Sequence, residues 1–291
     1  MNSHESKSEL LSELEIIHKW EKDQNGLWFW EKLGRLPFKL LDRITPQIVH
    51  NKLGVALDEL GSYIHSGGRY LISEKEMFKR FSKKTGEEEV DLSLISEMPI
   101  SVMDEISENI ATSRKRMAMT QGATTGIGGI FTLTIDIPLI LGISLKTLQE
   151  ISISYGYDPN DKQERIFIVK CLQFVSSDIV GKQSILKELS AYTSQGVVKK
   201  EETLSQLQGW REVMMSYRDN FGWKKLFQMI PIAGMIFGSL INKSMINEIG
   251  ETGRMLYKKR RIMERLEPVE SVETMEPVEK LIIDEKNNGS V

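Results

Sequence analysis

Six polar residues near the middle of the chain are of types that could do chemistry. They are Asp136, Tyr155, Tyr157, Asp158, Glu164 and Arg165. Carboxylates and tyrosines can move protons, and an arginine can hold an anionic group, so a convergence of these side chains on a pocket would indicate an enzyme. No pair with the spacing of a nucleophile and its base is evident among them. We therefore assign no catalytic residue.

Asp136 is the only charged residue between Arg116 and Lys146. A lone carboxylate among apolar residues is unfavourable unless it is paired or neutral. The sequence leaves two predictions open: Asp136 caps a helix that begins at Pro138, or it faces a polar partner or cavity.

The stretch GATTGIGG at 122–129 matches the phosphate-binding turn of short-chain dehydrogenases. That turn must follow a strand, whereas the preceding SRKRMAMTQ is helical in character. No tyrosine of the chain is followed four residues later by a lysine in the manner of those enzymes. We expect no nicotinamide cofactor.

Metal and thiol chemistry have little support in the sequence. The four histidines lie in the first 65 residues without the spacing of a metal-binding helix, so no metal is expected. The single cysteine, Cys171, lies on an apolar helical face and is predicted to be a buried, unreactive thiol.

An aromatic and basic stretch near the N-terminus could contact a membrane. Trp28 and Trp30 lie beside Lys32 and Arg35, a mixture typical of the headgroup region of a bilayer. A packing helix with a solvated basic face is the alternative. The basic clusters at 114–116 and 258–261 lie outside the apolar segments and would also suit an anionic surface.

The elements that position these residues are predicted to be helices, because apolar residues recur at intervals of three and four. We expect an all-α fold, a single multi-helix domain over 1–266 around two central apolar segments, 122–145 and 226–250. Small residues spaced for close helix packing occur in both segments. The predicted packing glycines are Gly122, Gly126, Gly128, Gly129, Gly234 and Gly238.

Charge and composition narrow the class of protein. The net charge is −3, and residues 267–291 hold seven acidic residues and two lysines, which leaves about +2 for 1–266. This balance argues against a nucleic-acid partner. The acidic tail 267–291 repeats Glu-Pro-Val-Glu and is predicted to be disordered. The polar first twenty residues and the single cysteine indicate a cytoplasmic protein.

The region 121–172 resembles the EcsC family. The similarity includes the glycine turn, Asp136-x-Pro138, Gln149-Glu150, the Tyr155–Asp158 turn and Glu164-Arg165, and it extends more loosely over residues 10–266. The resemblance implies an association with an ABC transporter, because the family is named for a gene beside that transporter's subunits. It provides no catalytic residues.

The leading hypothesis is a non-catalytic helical protein that docks on the inner face of the plasma membrane or on an integral membrane partner. Its partner would be an anionic membrane surface or a membrane protein, with no cofactor; the sequence does not indicate an oligomeric state. Two alternatives stay open. One is an enzyme with a site around Asp136 and Tyr155–Arg165, and the other is a purely soluble scaffold.

Overall fold

The computed structural model describes residues 5–24, 61–67, 72–126, 130–177, 179–194 and 231–266. Within these ranges, residues 123–126, 130–138, 176, 179–180, 190–194 and 231–241 are described as backbone alone. Every regular element in the described ranges is a helix, which confirms the predicted all-α fold class. The tail 267–291 lies outside them.

Eight helices have both ends within the described residues, and residues 61–66 are also helical. The eight are α1 (Lys7–Asp23), α2 (Glu74–Thr85), α3 (Leu92–Glu97), α4 (Ile100–Gly126), α5 (Ile130–Ser154), α6 (Lys162–Ser176), α7 (Ile179–Ser194) and α8 (Pro231–Leu266).

Short polar side chains start several of these helices. Ser6 and Glu9 form a capping box at α1, in which each side chain accepts a hydrogen bond from the backbone N–H of the other. Asp91 caps α3, and Asp161 caps α6. By residue type, Asp158, Asn160 or Asp161 could each cap α6, and the structure selects Asp161. Each cap satisfies backbone donors that have no partner inside the helix.

Three long helices form the centre of the fold. Helices α4 and α8 run antiparallel and make the largest helix–helix contact, and α5 packs against both. Their backbones approach closely where glycines lie. A Cβ added at Gly250 of α8 would stand 2.8 Å from the Cβ of Ala111 in α4, and one at Gly253 would stand 2.8 Å from Leu148 in α5. The predicted adjacency of the two apolar segments is therefore confirmed at the level of the helices.

The first apolar segment is not one continuous helix, however. Residues 122–145 comprise the end of α4 and the first part of α5, with residues 127–129 between them. The glycines at 126, 128 and 129 explain why a helix would end here, since glycine lowers helix stability by roughly 1 kcal/mol relative to alanine.

None of the helices in the described ranges combines the length and hydropathy that a bilayer crossing requires.

Candidate functional site

The last two to three turns of α8 carry a row of cations that point into the protein. Each has a carboxylate partner on another helix, one turn away on α8, or in the residues just before α1. The pairs are Lys258 with Glu13 and Asp104, Lys259 with Glu21, Arg260 with Glu164 and Glu264, Arg261 with Glu264, and Arg265 with Glu5. The basic cluster 258–261 therefore links α8 to α1, α4 and α6, and its membrane role is not supported by these contacts.

Glu164 is the most deeply buried carboxylate of this row, with 3% of its surface exposed. It accepts a hydrogen bond from the Tyr257 hydroxyl, and its other oxygen lies 2.7 Å from Nη1 of Arg260. Burial raises the pKa of Glu164, although Arg260 and the Tyr257 hydrogen bond act in the opposite direction. Glu164 therefore joins the start of α6 to α8.

Tyr155 lies at the turn after α5 and is fully buried. Its hydroxyl donates to Asp104 at 2.5 Å, and its carbonyl accepts from Nε and Nη2 of Arg261 at 3.0 and 2.6 Å. Burial and the nearby charge of Asp104 raise the pKa of Tyr155 well above its usual range, so this tyrosine stays protonated.

The next residue, Gly156, has a φ of +79°, a conformation that favours glycine. A Cβ there would lie 2.8 Å from the Cα of Ser96, so the turn packs directly on the backbone of α3.

Tyr157 packs beneath two guanidinium groups. The Cζ atoms of Arg260 and Arg261 lie 4.0 and 4.4 Å from the centre of its ring, and Tyr257 contacts it from another side. Such cation–π contacts stabilise both guanidinium groups against the Tyr157 ring. The Tyr157 hydroxyl is buried without a hydrogen-bond partner among the described residues.

Arg165 is also buried and holds backbone carbonyls rather than an anion. It donates to the carbonyl of Ile64 at 3.0 Å, to that of His65 at 3.2 Å and to that of Asn160. Asp158 is exposed and accepts from the backbone and side chain of Asn160. Arg165 thus fixes the helical segment 61–66 to the turn before α6.

Tyr155, Tyr157, Glu164 and Arg165 therefore join helices to one another, whereas Asp158 contacts Asn160 within its own turn. They do not line either of two cavities in the described part of the chain. The larger cavity, about 580 Å³, lies between α2 and α3 and is lined by Phe78, Lys79, Ser82, Glu88, Glu89, Val90, Asp91 and Leu94. The contacts of Tyr155, Glu164 and Arg165 with other helices support a structural role for this cluster.

Asp136 lies apart from this cluster along the chain. Helix α5 begins at Ile130, so Asp136 is in its second turn and does not precede the first. The prediction that Asp136 caps a helix beginning at Pro138 is wrong, because the helix already extends through both residues.

The glycines that make the observed close contacts are not the predicted ones. Of the predicted set, Gly122 is buried in α4, while the surroundings of Gly126, Gly128, Gly129, Gly234 and Gly238 lie outside the described side chains. Gly250 and Gly253 were missed. Their signal is the small-residue pair in INEIGETGR, three positions apart on the polar half of α8.

The opposite end of the three central helices is apolar. Arg114 of α4 pairs with Glu150 of α5, and Lys115 of α4 donates to Asn247 of α8 at 3.0 Å. This antiparallel register brings the end of α4 together with the beginnings of α5 and α8. We call residues 117–126, 130–145 and 231–242 the apolar end; its one formal charge is Asp136.

Large apolar side chains are exposed at this end. Met117 is 48% exposed, and Met119 and Leu139 are each 43% exposed. Met117 and Met119 flank the buried Ala118, so α4 is uncovered on two sides here. The predicted interface residues Trp28, Trp30, Lys32 and Arg35 lie outside the described residues.

Thiol and metal chemistry are not concentrated anywhere in the described ranges. Cys171 is fully buried, which confirms its predicted burial, and that burial raises the pKa of its thiol well above the usual range. Within those ranges no three side chains of the types His, Cys, Asp and Glu are grouped so that they could hold a metal ion.

The fold and the contacts define an all-helical protein whose buried ion pairs and tyrosines connect helices around an antiparallel core. A model of the EcsC protein family matches residues 12–262, and the chain belongs to that family.

Two proteins of Bacillus subtilis (strain 168) are similar over much of the chain. Uncharacterized protein YdbA is 56% identical over 267 residues, which cover 91% of this chain and 97% of YdbA. Protein EcsC is 32% identical over 169 residues, which cover 58% of this chain and 68% of that protein. No solved structure has significant similarity to the chain.

Proposed function

We propose that this protein docks peripherally on a lipid bilayer through its apolar end. The observation that carries the proposal is the exposure of Met117, Met119 and Leu139 where three apolar helix ends come together. Exposed apolar groups of this size on a protein surface mark sites of interaction.

The short length of the apolar helical pieces supports shallow insertion into the bilayer. The uncharged end of α4 (117–126) and the apolar part of α5 (130–145) are connected by only three residues. Apolar helical pieces of about 10–14 residues are typical of buried core helices and of interfacial or re-entrant segments, whereas a full crossing needs about 20. The rest of the molecule, rich in ion pairs, would stay in water.

The energy available is sufficient for reversible docking. Full burial of a methionine or leucine side chain contributes roughly 1.5–3 kcal/mol. Three half-exposed side chains would therefore contribute about 3 kcal/mol, which corresponds to about a hundredfold in the partition coefficient.

Sedimentation with lipid vesicles tests this proposal. The variant Met117→Gln/Met119→Gln/Leu139→Gln should lose most of its vesicle binding, since glutamine keeps the side-chain length and helix propensity while it removes the apolar surface. The matched control is Ile16→Gln on α1, because Ile16 is 53% exposed and lies outside the apolar end. Far-UV circular dichroism would verify that each variant folds.

Failure of the wild-type protein to sediment with any vesicle would overturn the proposal and favour the soluble scaffold. Full retention of vesicle binding by the triple variant would show that Met117, Met119 and Leu139 do not form the docking surface.

The transporter association that the family resemblance implies is a separate prediction. Nothing in the described geometry identifies an ABC transporter subunit as the partner. Affinity purification from detergent-solubilised membranes, with the triple variant as the comparison, would test whether a membrane protein also uses the apolar end.

A further inference from the structure

Three cations surround the base of the apolar end. Arg116 is the last charged residue of α4, Lys146 is the first lysine of α5 and Lys243 is the first of α8. Arg116 and Lys243 are exposed, and Lys146 is partly exposed. No two of these residues are on the same helix.

The helix register places them at one level along the bundle. Lys146 precedes Glu150, the partner of Arg114, by about one helical turn. Lys243 precedes Asn247, the partner of Lys115, by about one turn as well. Arg116 lies about half a turn beyond Arg114 in the same direction.

The neighbouring carboxylates are already engaged. Glu150 is buried and paired with Arg114, and Glu248 lies 3.2 Å from Lys182. In the described part of the chain, no carboxylate pairs with Arg116, Lys146 or Lys243. Among the described residues, this level of the protein therefore presents unbalanced positive charge below the apolar end, whose one formal charge is Asp136.

We propose that Arg116, Lys146 and Lys243 form a cationic collar that binds the headgroups of anionic phospholipids. This inference rests on the proposed docking of the apolar end and names the lipid class that it selects. With Met117, Met119 and Leu139 in the hydrocarbon boundary, the collar lies at headgroup depth. Each lysine or arginine near an anionic leaflet raises the affinity roughly fivefold.

The basic cluster 258–261 is not part of the collar. Lys258, Lys259, Arg260 and Arg261 lie four turns further along α8 and are paired inside the fold. The lipid-binding charge is therefore assigned to three residues that are far apart in sequence. The cluster 114–116 supplies only Arg116, and the cluster 258–261 supplies none.

A comparison of two vesicle types tests the collar. The variant Arg116→Gln/Lys146→Gln/Lys243→Gln is measured on phosphatidylcholine vesicles and on phosphatidylcholine vesicles that contain phosphatidylserine. We expect its affinity for the anionic vesicles to fall roughly tenfold or more, with its weak binding to neutral vesicles unchanged. Added salt should reduce the wild-type preference and have little effect on the variant.

The matched control removes the same charge elsewhere. Lys75, Lys79 and Arg80 are exposed on α2, and Glu74 of α2 contacts Asn160 at the far end of α5. The variant Lys75→Gln/Lys79→Gln/Arg80→Gln should keep the anionic preference. An equal loss in this control would show a general effect of net charge and would overturn the collar.

The two proposals can fail separately. A collar variant that keeps the full anionic preference overturns the collar and leaves docking intact. Wild-type protein that binds neither vesicle type overturns both.

A depth measurement provides a second readout. Single cysteines at Met119→Cys and at Lys243→Cys, in a Cys171→Ala background, can carry a fluorophore. On anionic vesicles, the label at 119 should be quenched more by nitroxides deep in the acyl chains, and the label at 243 more by nitroxides on the headgroup. The reverse order would overturn the assigned level of the collar.

Discussion

At the scale of single residues, Glu164 shows how the fold uses its buried charge. Its carboxylate contacts Tyr257 and Arg260, which lie three residues apart on α8. Both partners satisfy its oxygens, yet burial still raises its pKa above the ordinary value of 4.5. The residue that could have been a proton donor in an active site is here the connection between α6 and α8.

That raised pKa makes a prediction about stability and pH. Between 4.5 and the folded-state pKa, the folded protein binds more protons at Glu164 than the unfolded chain does. The free energy of unfolding should therefore fall as pH rises through this window, by up to about 1.4 kcal/mol per pH unit. The Glu164→Gln variant lacks this contribution.

Urea unfolding of the wild type and of Glu164→Gln at a series of pH values above 4.5 measures the difference. We expect the wild type to lose stability relative to the variant as pH rises. A difference that does not depend on pH would mean that Glu164 ionises in the fold as it does in the unfolded chain.

At the scale of the elements, the closeness of α4, α5 and α8 depends on small residues. An added Cβ at Gly250 would overlap the Cβ of Ala111, and one at Gly253 would press on the flexible end of the Leu148 side chain. Further from the apolar end, the ion pairs Lys258–Asp104 and Arg254–Glu108 connect α8 to α4. Packing sets the distance between the helices, and the ion pairs set their register.

The Gly250→Ala variant should therefore be less stable by about 1–3 kcal/mol, because the new Cβ overlaps Ala111 on a rigid helix. The matched control is Gly61→Ala, since no atom lies within 4 Å of the added Cβ and residues 61–66 are helical. Its stability should stay the same or rise by up to about 1 kcal/mol. Thermal or urea unfolding measures both.

A compensating change distinguishes overlap from a backbone effect. Ala111→Gly in the Gly250→Ala background removes the overlapping methyl group and should restore part of the lost stability. If the double variant is no more stable than Gly250→Ala alone, close packing at this contact is not the reason for the loss.

At the scale of the whole molecule, the charged and apolar ends are separated along the central bundle. Helix α8 has 36 residues and is therefore roughly 54 Å long. Its last turns lie among the carboxylates of α1, α4 and α6, and its first turns belong to the apolar end. We expect the protein to dock with the apolar end toward the bilayer, so that the cavity between α2 and α3 stays away from the lipid.

The Trp28–Arg35 stretch predicts a second contact in the same docked state. Trp28 and Trp30 would enter the interface, and Lys32 and Arg35 would add charge-dependent binding. We expect the variant Trp28→Ala/Trp30→Ala/Lys32→Glu/Arg35→Glu to bind anionic vesicles more weakly than the wild type. The wild-type protein should be partly released by salt.

Unchanged binding of this variant in sedimentation assays would remove the interface role from residues 28–35. The Lys75→Gln/Lys79→Gln/Arg80→Gln variant again serves as the charge control.

The sequence alone determined the fold class, because spacing of three and four between apolar residues requires helices. It indicated α1 from the apolar stripe that contains Leu10, Leu14 and Ile17, α2 from Ser73, and α6 from three candidate caps, Asp158, Asn160 and Asp161. It also indicated a buried Cys171. The family resemblance rested on contiguous residues and was confirmed over 12–262.

Only the tertiary structure decided what the polar residues do. The cations at 258–261 look the same in sequence whether they face lipid, water or carboxylates, and their partners Glu13, Glu21 and Glu164 are roughly 100–250 positions away, too far for any local pattern. The collar has the same origin: Arg116, Lys146 and Lys243 share a level only because α4 runs antiparallel to both α5 and α8. Helical periodicity fixes which face of a helix a residue occupies, whereas register between helices depends on contacts between distant positions, such as the ion pair of Lys258 with Asp104.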